Sequence, residues 1–562
     1  MTVPGFGMGG SIVAGRGPST PPGGGAAHNV LWASDPGQRW YVLPMFRRLL
    51  TLALVWHAGG APSSLIAQAP RGFAVTEAAI EDIHLAMRAG RLTCRGLVEA
   101  YLARIAAFDK QGPRINAIVV TNPRVLMEAD SLDGVFQSGG SRGPLHCVPV
   151  IVKDNFDTRG LQTSAGSLSL QGFTPARDAF MVGRIRAAGA LVLAKSNMAE
   201  FAFSPYETVG SLLPGYTRNP YELDRVTAGS SGGTAAAVAA SYGTVGLGTD
   251  TGNSIRGPSA HQALVGIRST MGLTSRAGVV PLNLAADIAG PMARTVRDAV
   301  AVFQVIAGED PDDPVTEAAR GKVSADYAAS LRLDGLRGAR VGVLNQAWER
   351  ESTDPEVREV FRAALADFRR QSATVIDSVP LPGFDSLLRT ATGCNRFRYD
   401  LETYLASHRE KPPVTTVAEV LRSRRFHPSI ELRLQSTQAV DSAPDRNPGC
   451  LARARFADAL RRMVLDAMDR LALDALIYPT WSNPPRLIGD LNTPHGDNSQ
   501  LFSPSTGFPA VSVPMGWLRA GRLPAGLTLL ARPWAEGTLF RLAFAYEQAT
   551  RHRRPPATTP PL

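Results

Sequence analysis

Short apolar segments alternate with a helical pattern between residues 146 and 194, and this order constrains the fold more than any other feature. The run His146–Val152 is apolar enough for a buried strand, and its proline favours the beginning of a strand or an edge strand. A helical pattern at Val182–Ala188 leads to a second apolar run at Ala190–Ala194. The order strand, helix, strand predicts an α/β fold in which helices cover the faces of a sheet.

The same alternation continues along the chain. Two threonines, Thr76 and Thr93, are predicted to cap helices near the start of the folded region. The pattern weakens in the segment Phe384–Pro448, which we interpret as a variable segment that caps a pocket. Further strands are predicted at Val245–Leu247, Arg340–Leu344, Ala475–Tyr478, Ala510–Val513 and Gly526–Leu530, and further helices at Pro355–Gln371, Ala452–Leu471 and Glu536–Thr550.

The composition is that of a globular protein large enough to bury a sizeable core. Of the 562 residues, 44% are hydrophobic and 19% are charged. The net charge of +10 comes with arginines scattered along the chain, which we interpret mainly as surface residues. No nucleic-acid-binding motif accompanies them, so we predict no nucleic-acid partner.

The four cysteines, Cys94, Cys147, Cys394 and Cys450, form no C-x-x-C pair, and no histidine lies at ligand spacing from them. This pattern argues against a metal site, and we expect no metal and no other cofactor. One or two disulfides are possible, and the sequence does not decide which cysteines pair.

The amino-terminal residues have the layout of a leader. Residues 1–44 are rich in glycine and proline without an apolar period, which predicts disorder or a stretch that precedes the true start at Met45. Residues 45–69 carry a basic start, an apolar centre and a small-x-small end, the layout of a secretory signal peptide. A periplasmic or secreted protein is therefore predicted. The alternative is a disordered leader with a short apolar helix on a cytoplasmic protein. No other run approaches the ~18 apolar residues that span a bilayer, so we expect no stable membrane insertion.

Two serine sites lie in glycine-rich loops of the stretch Thr227–Ser259, joined by a run of small residues that predicts a helix. Ser254 is the predicted nucleophile because Gly252 and Asn253 before it allow a tight turn. In such a turn the backbone N–H groups point inward. We expect those of Thr251, Gly252 and Asn253 to form an oxyanion hole.

A serine hydroxyl needs a partner that takes its proton, and the scarce lysine Lys153 is the predicted base. Ser230 is predicted to relay the proton between Ser254 and Lys153. The lysine acts as a base only when neutral, so its pKa must fall several units below about 10.4. Burial beside the apolar strand lowers it. The neighbouring Asp154 opposes this unless its side chain points away, as alternation along a strand predicts. Activity is then expected to rise with pH.

Two other charged features are interpreted as structural. Asp250 and Arg256 flank the nucleophile, and we predict that they pair and brace its loop. The run Gly189–Ser196 nearly matches a phosphate-binding loop, but its apolar middle predicts a strand. Lys195 at its end is therefore interpreted as a structural residue.

The chain resembles the amidase signature family of serine hydrolases. The resemblance rests on V-P-V-I-V-K-D-N-F-D-T-R-G around Lys153, G-S-S-G-G-T-A-A-A-V-A-A around Ser230 and G-T-D-T-G-N-S-I-R-G-P around Ser254, in the family's order. It implies one large domain with a mixed central β-sheet flanked by helices, placed at residues 74–555. It also implies a Ser254–Ser230–Lys153 triad with a cis peptide bond before Ser230, and a supporting role for Ser231.

Two positions depart from the family pattern. Asn253 stands where the family has glycine, and its side chain is expected to narrow or polarise the pocket. Arg396, Phe397 and Arg398 stand where the family often has a Glu-Phe-Lys-like segment, which puts a substrate contact from that segment in doubt.

The resemblance implies an amidase that cleaves the C–N bond of a small-molecule carboxamide through an acyl-enzyme, releasing ammonia or an amine. The alternatives are the glutamine-hydrolysing component of a tRNA-dependent amidotransferase, a carbamate or ester hydrolase of the same family, and an inactive binding protein. Substrate choice is expected to lie in the segments 384–448 and 480–508. The sequence leaves open the substrate, and whether the protein is a monomer or a homodimer.

Overall fold

An eleven-stranded sheet forms the centre of the molecule. The structure, a computed structural model, describes residues 73–562, so the predictions for residues 1–44 and 45–69 lie outside the described residues. The strands are β1 Ile118–Thr121, β2 Pro149–Lys153, β3 Leu191–Ser196, β4 Val245–Asp250, β5 Val265–Arg268, β6 Ile288–Ala293, β7 Arg340–Val343, β8 Thr374–Ile376, β9 Ala475–Pro479, β10 Ala510–Leu518 and β11 Leu523–Leu530.

The strand order is β1-β3-β2-β4-β6-β5-β10-β11-β9-β7-β8. Strand β2 runs parallel to both of its neighbours, β3 and β4, and β7 runs parallel to β8 and β9, while the remaining pairs are antiparallel. The predicted single α/β domain with a mixed sheet is therefore confirmed.

Sixteen α-helices alternate with these strands along the described chain. They are α1 Ile80–Arg88, α2 Cys94–Phe108, α3 Val125–Gln137, α4 Phe180–Ala187, α5 Gly232–Ala239, α6 Arg256–His261, α7 Val296–Ile306, α8 Asn345–Trp348, α9 Pro355–Arg370, α10 Phe384–Leu388, α11 Phe397–Ala406, α12 Val417–Ser423, α13 Glu431–Gln438, α14 Pro448–Arg470, α15 Ser503–Thr506 and α16 Glu536–Thr550. Within residues 73–562, no helix is both long enough and apolar enough to cross a bilayer.

One of the two predicted helix caps is confirmed and the other is wrong. The Thr93 side chain accepts the Gly96 N–H at 3.0 Å and caps α2. Thr76 does not cap α1, because Glu77 has a left-handed backbone (φ 60°) that separates Thr76 from the helix. Helix α1 starts after Ala79, whose N–H is accepted by the Asp82 carboxylate at 3.0 Å.

Small residues bring helix α5 directly onto the sheet. All eight of its residues are buried, and six of them are glycine or alanine. A Cβ on Gly246 of β4 would lie 2.4 Å from the Thr234 methyl group, so the two backbones approach as closely as glycine allows. The predicted helical run of small residues thus sets the distance between the two serine-bearing loops.

All four cysteines are paired, which settles the pairing that the sequence left open. Cys94 bonds Cys147 across 53 residues, and Cys394 bonds Cys450 across 56 residues. The first bridge is fully buried and ties the start of α2 to the segment that enters β2.

We expect the double variant Cys94→Ala/Cys147→Ala to lose about 4 kcal/mol of unfolding free energy, because a closed loop of that length restricts the unfolded chain. Urea titration of the purified protein measures the loss. The double variant Cys394→Ala/Cys450→Ala opens a loop of similar length and serves as the matched comparison. An unchanged urea midpoint in the first variant would show that the buried bridge adds no stability.

Candidate active site

The carboxyl end of β2 carries Lys153 into the fully buried centre of the molecule. Its Nζ lies 2.8 Å from the Ser230 Oγ and 2.7 Å from the Thr249 Oγ1. Lys153 and Ser230 have no exposed surface, and Thr249 has 6%. The predicted base and relay are therefore hydrogen-bonded to each other, and the structure adds a third partner that the sequence did not single out.

Burial lowers the pKa of Lys153 to about 7, although Asp250 and Asp287 act in the opposite direction. Asp154 does not face this lysine. Its carboxylate lies 3.6 Å from the Lys195 ammonium and accepts the Ser164 N–H at 3.2 Å. The side chains of β2 alternate as predicted, so the neighbouring acid leaves the lysine free to be neutral near pH 7.

Lys195 lies at the end of β3, as the predicted strand requires. Its ammonium donates to the Phe156 carbonyl at 2.8 Å, the Gln162 carbonyl at 3.1 Å and the Thr163 hydroxyl at 3.1 Å. It therefore ties the loop that follows β2 to the sheet.

Ser230 follows a cis peptide bond from Gly229, the geometry that the family resemblance implies. Glycine is required at position 229 because a Cβ there would lie 2.3 Å from the Glu207 carbonyl oxygen and 2.4 Å from that of Ser204. The Gly229 N–H donates to the Pro205 carbonyl at 2.9 Å. The segment 204–207 therefore packs directly on the backbone that carries Ser230.

Ser231 connects the relay loop to β4. Its hydroxyl donates to the Thr249 carbonyl at 3.1 Å and accepts the Thr249 N–H at 3.3 Å. These two bonds fix the position of the strand residue whose side chain contacts Lys153.

Ser254 lies between β4 and α6 and has 4% of its surface exposed. Its Oγ is 3.5 Å from the Asn253 Oδ1. Within residues 73–562 no hydrogen bond joins Ser254 to Ser230, which bonds Lys153 instead. Catalytic hydrogen bonds are often long without substrate and shorten when it binds.

Asn253 is tolerated because the turn does not need a left-handed residue. Neither Gly252 nor Asn253 has a positive φ. The Asn253 amide donates to the Pro205 carbonyl at 3.2 Å, and its oxygen faces the Ser254 hydroxyl. The side chain thus ties the loop of Ser254 to segment 204–207 and places a polar group beside the Ser254 hydroxyl.

Three backbone amides precede Ser254 in its loop. The N–H groups of Thr251, Gly252 and Asn253 donate to no acceptor in the part of the chain that the structure describes. The Thr251 hydroxyl donates to Asp287, which also accepts the Leu282 and Asn283 N–H groups at 2.9 and 2.8 Å. The loop is therefore anchored through a side chain, while its amides are unpaired.

A buried ion cluster braces this loop. Asp250 lies 3.0 Å from the Arg256 Nε and 3.1 Å from the Arg268 Nη1. It also accepts the N–H groups of Ile255 and Arg256 at 3.2 and 3.3 Å. Burial alone would raise the pKa of Asp250, but the two arginines bring it to about 2. The predicted Asp250–Arg256 pair is present, and Arg268 extends it.

Comparison with known sequences places the chain in a family. A sequence model of the amidase family matches residues 96–540. The chain is 32% identical to a protein named "probable amidase" from Arabidopsis thaliana over 525 residues, covering 90% of this chain and 96% of that protein. It is 34% identical to a glutamyl-tRNA(Gln) amidotransferase component from Symbiobacterium thermophilum, covering 83% of this chain and 95% of the relative. The chain belongs to the amidase signature family.

The fold of this amidase also matches solved structures. The native peptide amidase from Stenotrophomonas maltophilia superposes with a TM-score of 0.77 at 35% identity, covering 86% of this chain and 99% of the other. An amidase family protein from Bacillus anthracis superposes with a TM-score of 0.75 at 28% identity, covering 86% of this chain and 92% of the other. The protein is an amide-hydrolysing enzyme.

Arg396, Phe397 and Arg398 each contact other residues of the chain. These are the positions where this amidase departs from the family's Glu-Phe-Lys-like segment. Arg396 pairs with Asp400 at 2.6 Å, and Asp400 accepts the Leu284 N–H at 2.9 Å. Phe397 packs against Phe203 with ring centroids 4.6 Å apart. Arg398 donates to the carbonyls of Gln438 and Val440 at 3.1 and 3.0 Å. These side chains hold helix α11 in place.

Sequence reasoning missed three residues of the site. Thr249 lies inside the motif around Ser254, so its proximity to Ser254 was readable, but its contact with Lys153 was not. Arg268 and Asp287 lie outside the motifs around Lys153, Ser230 and Ser254, at the end of β5 and directly before β6. They reach the site because β6 lies beside β4 and β5 lies beside β6, an order that the sequence does not reveal.

Proposed function

We propose that Ser254 attacks the carbonyl carbon of a carboxamide, that Ser230 relays the proton and that Lys153 receives it. The observation that carries this proposal is the buried Lys153, hydrogen-bonded to Ser230 at 2.8 Å. With its pKa lowered to about 7 by burial, about half of the lysine is neutral at neutral pH. A neutral amine beside a serine relay is the activation that a serine nucleophile needs.

The proton moves in balance with the bonds that form and break. As the Ser254 oxygen bonds the carbonyl carbon, its proton passes to Ser230, whose own proton passes to Lys153. The negative charge on the carbonyl oxygen is stabilised by the amides of Thr251, Gly252 and Asn253. Lys153 returns a proton through Ser230 to the leaving nitrogen as the C–N bond breaks. Water then hydrolyses the acyl-enzyme by the same route and releases the carboxylic acid.

Hydrolysis of glutamine is the second candidate, and Arg433 favours it. The Arg433 guanidinium lies 4.4 Å from the Phe203 ring centroid and donates to the Phe203 carbonyl at 2.6 Å. It forms no salt bridge with an acid within residues 73–562, and its side chain is exposed. Like any arginine guanidinium, it is charged at neutral pH.

Arg433 contacts the segment that also holds the loop of the proposed nucleophile, Ser254. Two residues after Phe203, the Pro205 carbonyl accepts N–H groups from Gly229 and Asn253. A carboxylate at the far end of a small amide substrate, such as the α-carboxylate of glutamine, would pair with this guanidinium. A peptide amide with a blocked carboxyl end offers no such group. Other small amides that carry a free carboxylate could pair with Arg433 in the same way.

Labelling with a fluorophosphonate tests the proposed mechanism. We expect one adduct on Ser254, mapped by mass spectrometry, and no adduct in Ser254→Ala, where hydrolysis also stops. Ser241→Ala removes a serine outside the triad and is the control that keeps both labelling and hydrolysis. An adduct on another residue, with activity retained in Ser254→Ala, would overturn the proposal. A panel of glutamine, a peptide amide, an anilide, a carbamate and an ester then separates the substrate classes.

The disulfides support the proposed export of the protein. All four cysteines of the chain are paired, and disulfides persist mainly in oxidising compartments. Together with the signal-peptide layout of residues 45–69, this favours a periplasmic or secreted enzyme. Cell fractionation followed by amino-terminal sequencing decides between export and the cytoplasmic alternative.

A further inference from the structure

The hydrogen-bond partners of Lys153 raise a question about the direction of its lone pair. A neutral amine has two N–H groups and one lone pair, and only the lone pair can take the Ser230 proton. The lysine nitrogen has two hydrogen-bond partners within residues 73–562, the hydroxyls of Ser230 and Thr249. Each hydroxyl can donate or accept. If Thr249 donated to the lysine, the lone pair would be occupied and unable to serve Ser230.

Asn155 restricts what the Thr249 hydroxyl can do. The Asn155 Nδ2 lies 3.2 Å from the Thr249 Oγ1 and 3.4 Å from the Val280 carbonyl oxygen. A carbonyl oxygen only accepts, so the amide nitrogen and not the amide oxygen faces this pair. Asn155 is buried, with 2% exposure, and an amide N–H only donates. It therefore fills one acceptor position of the Thr249 oxygen.

We propose that Thr249 is a positioning residue for the amide hydrolysis: its hydroxyl accepts an N–H of Lys153 and so keeps the lysine lone pair directed at Ser230, while Asn155 donates to the second acceptor position of that hydroxyl. With Asn155 in one acceptor position and Lys153 in the other, the Thr249 hydrogen points away from the lysine. After proton transfer the resulting ammonium keeps its hydrogen bond to Thr249, so no group has to turn during the step.

The backbone around Thr249 is rigid enough for this task. Thr249 lies in β4 opposite Ala289 of β6, and Ser231 bonds both its N–H and its carbonyl. The charged groups that act on Lys153 are Asp250, which follows Thr249, and Asp287, which precedes β6. Asp250 is held by two arginines and Asp287 by the Thr251 hydroxyl and two backbone amides. The two carboxylates are thus held by other partners, and Thr249 is an uncharged group that can accept an N–H of the lysine.

Replacement of the hydroxyl tests the proposal, which rests on the proposed function. Thr249→Val is expected to lower kcat by roughly tenfold to a hundredfold, less than the loss of the base itself because the base is still present, with KM nearly unchanged. Because a hydrogen-bond acceptor stabilises the ammonium form, its removal lowers the pKa of Lys153 and moves the acid limb of the kcat profile to lower pH. Thr249→Ser restores the hydroxyl, and we expect most of kcat and the original acid limb to return.

The control is Thr244→Val, which removes another buried hydroxyl just before β4, where Thr244 bonds Tyr101 at 3.1 Å. We expect it to keep the wild-type kcat and acid limb. Thr249→Ala gives the same comparison as the valine variant if that variant does not fold. Wild-type kinetics in Thr249→Val, or equal loss in the valine and serine variants, would overturn the positioning role. Activity retained in Ser254→Ala would instead overturn the proposed mechanism itself.

Discussion

Replacing Lys153 with methionine is expected to lower kcat/KM by about 10³-fold or more, because the loss of a general base leaves the serine nucleophile without a proton acceptor. Methionine fills a similar volume, so the buried site keeps its packing. In the wild-type enzyme kcat/KM is expected to rise with pH and level off above about pH 7, where the buried Lys153 becomes neutral. The variant's residual activity should lack this acid limb. Initial rates on one amide from pH 5 to 10 measure both effects.

Lys110→Met is the control for this variant. Lys110 has a half-exposed side chain that bonds Asn116 and Asp109 away from the site, so its loss should leave both the rate and the pH profile as in the wild type. Activity within tenfold of wild type in Lys153→Met, or an acid limb that persists there, would show that another group is the base.

The second large effect concerns stability. Asp250→Asn keeps the shape of the side chain but removes the negative charge that faces Arg256 and Arg268, all three being fully buried. Two guanidinium groups would then lie close together without the carboxylate that pairs with both of them. Breaking such a buried pair typically costs about 3–5 kcal/mol, and we expect a loss of unfolding free energy of about that size. Urea or thermal unfolding of the purified variant measures it.

Asp334→Asn provides the comparison, because the Asp334–Arg332 pair is exposed to solvent and screened. We expect its unfolding curve to match that of the wild type. If Asp250→Asn unfolds at the wild-type urea concentration as well, the buried cluster does not stabilise the loop of Ser254.

The fold was predictable where a strand or helix corresponds to one continuous pattern in a short stretch of sequence. Strands β2, β3 and β9 and helices α9 and α16 are near their predicted positions, because each is a continuous apolar or amphipathic run. Strand β6 was not predicted, since its sequence I-A-G-P-M-A contains glycine and proline that normally indicate a turn. Gly290 is needed there because a Cβ would lie 2.4 Å from the Ile267 carbonyl oxygen of β5.

The candidate site was predictable in part for the same reason. Lys153, Ser230 and Ser254 each lie in a short motif, and the structure brings the first two into contact. The strand order brings Thr249 of β4 to Lys153 of β2. It also brings Arg268 of β5 to Asp250 of β4. Strand order is a tertiary property with no signal in a single sequence. The left-handed Glu77 that separates Thr76 from α1 likewise pairs with Arg553, 476 residues away, a contact that the local sequence does not indicate.

The Cys394–Cys450 bridge has a consequence for how this enzyme can be re-engineered or can diverge. It closes a covalent ring that contains helices α11, α12 and α13, all of which lie in the segment 384–448. Since the entropy of closing a loop grows only slowly with its length, residues inside the ring can be inserted, removed or exchanged at little cost to its ends. The ring is therefore a natural unit for transplanting that segment between members of the family, while the sheet and the residues Lys153, Ser230 and Ser254 stay unchanged.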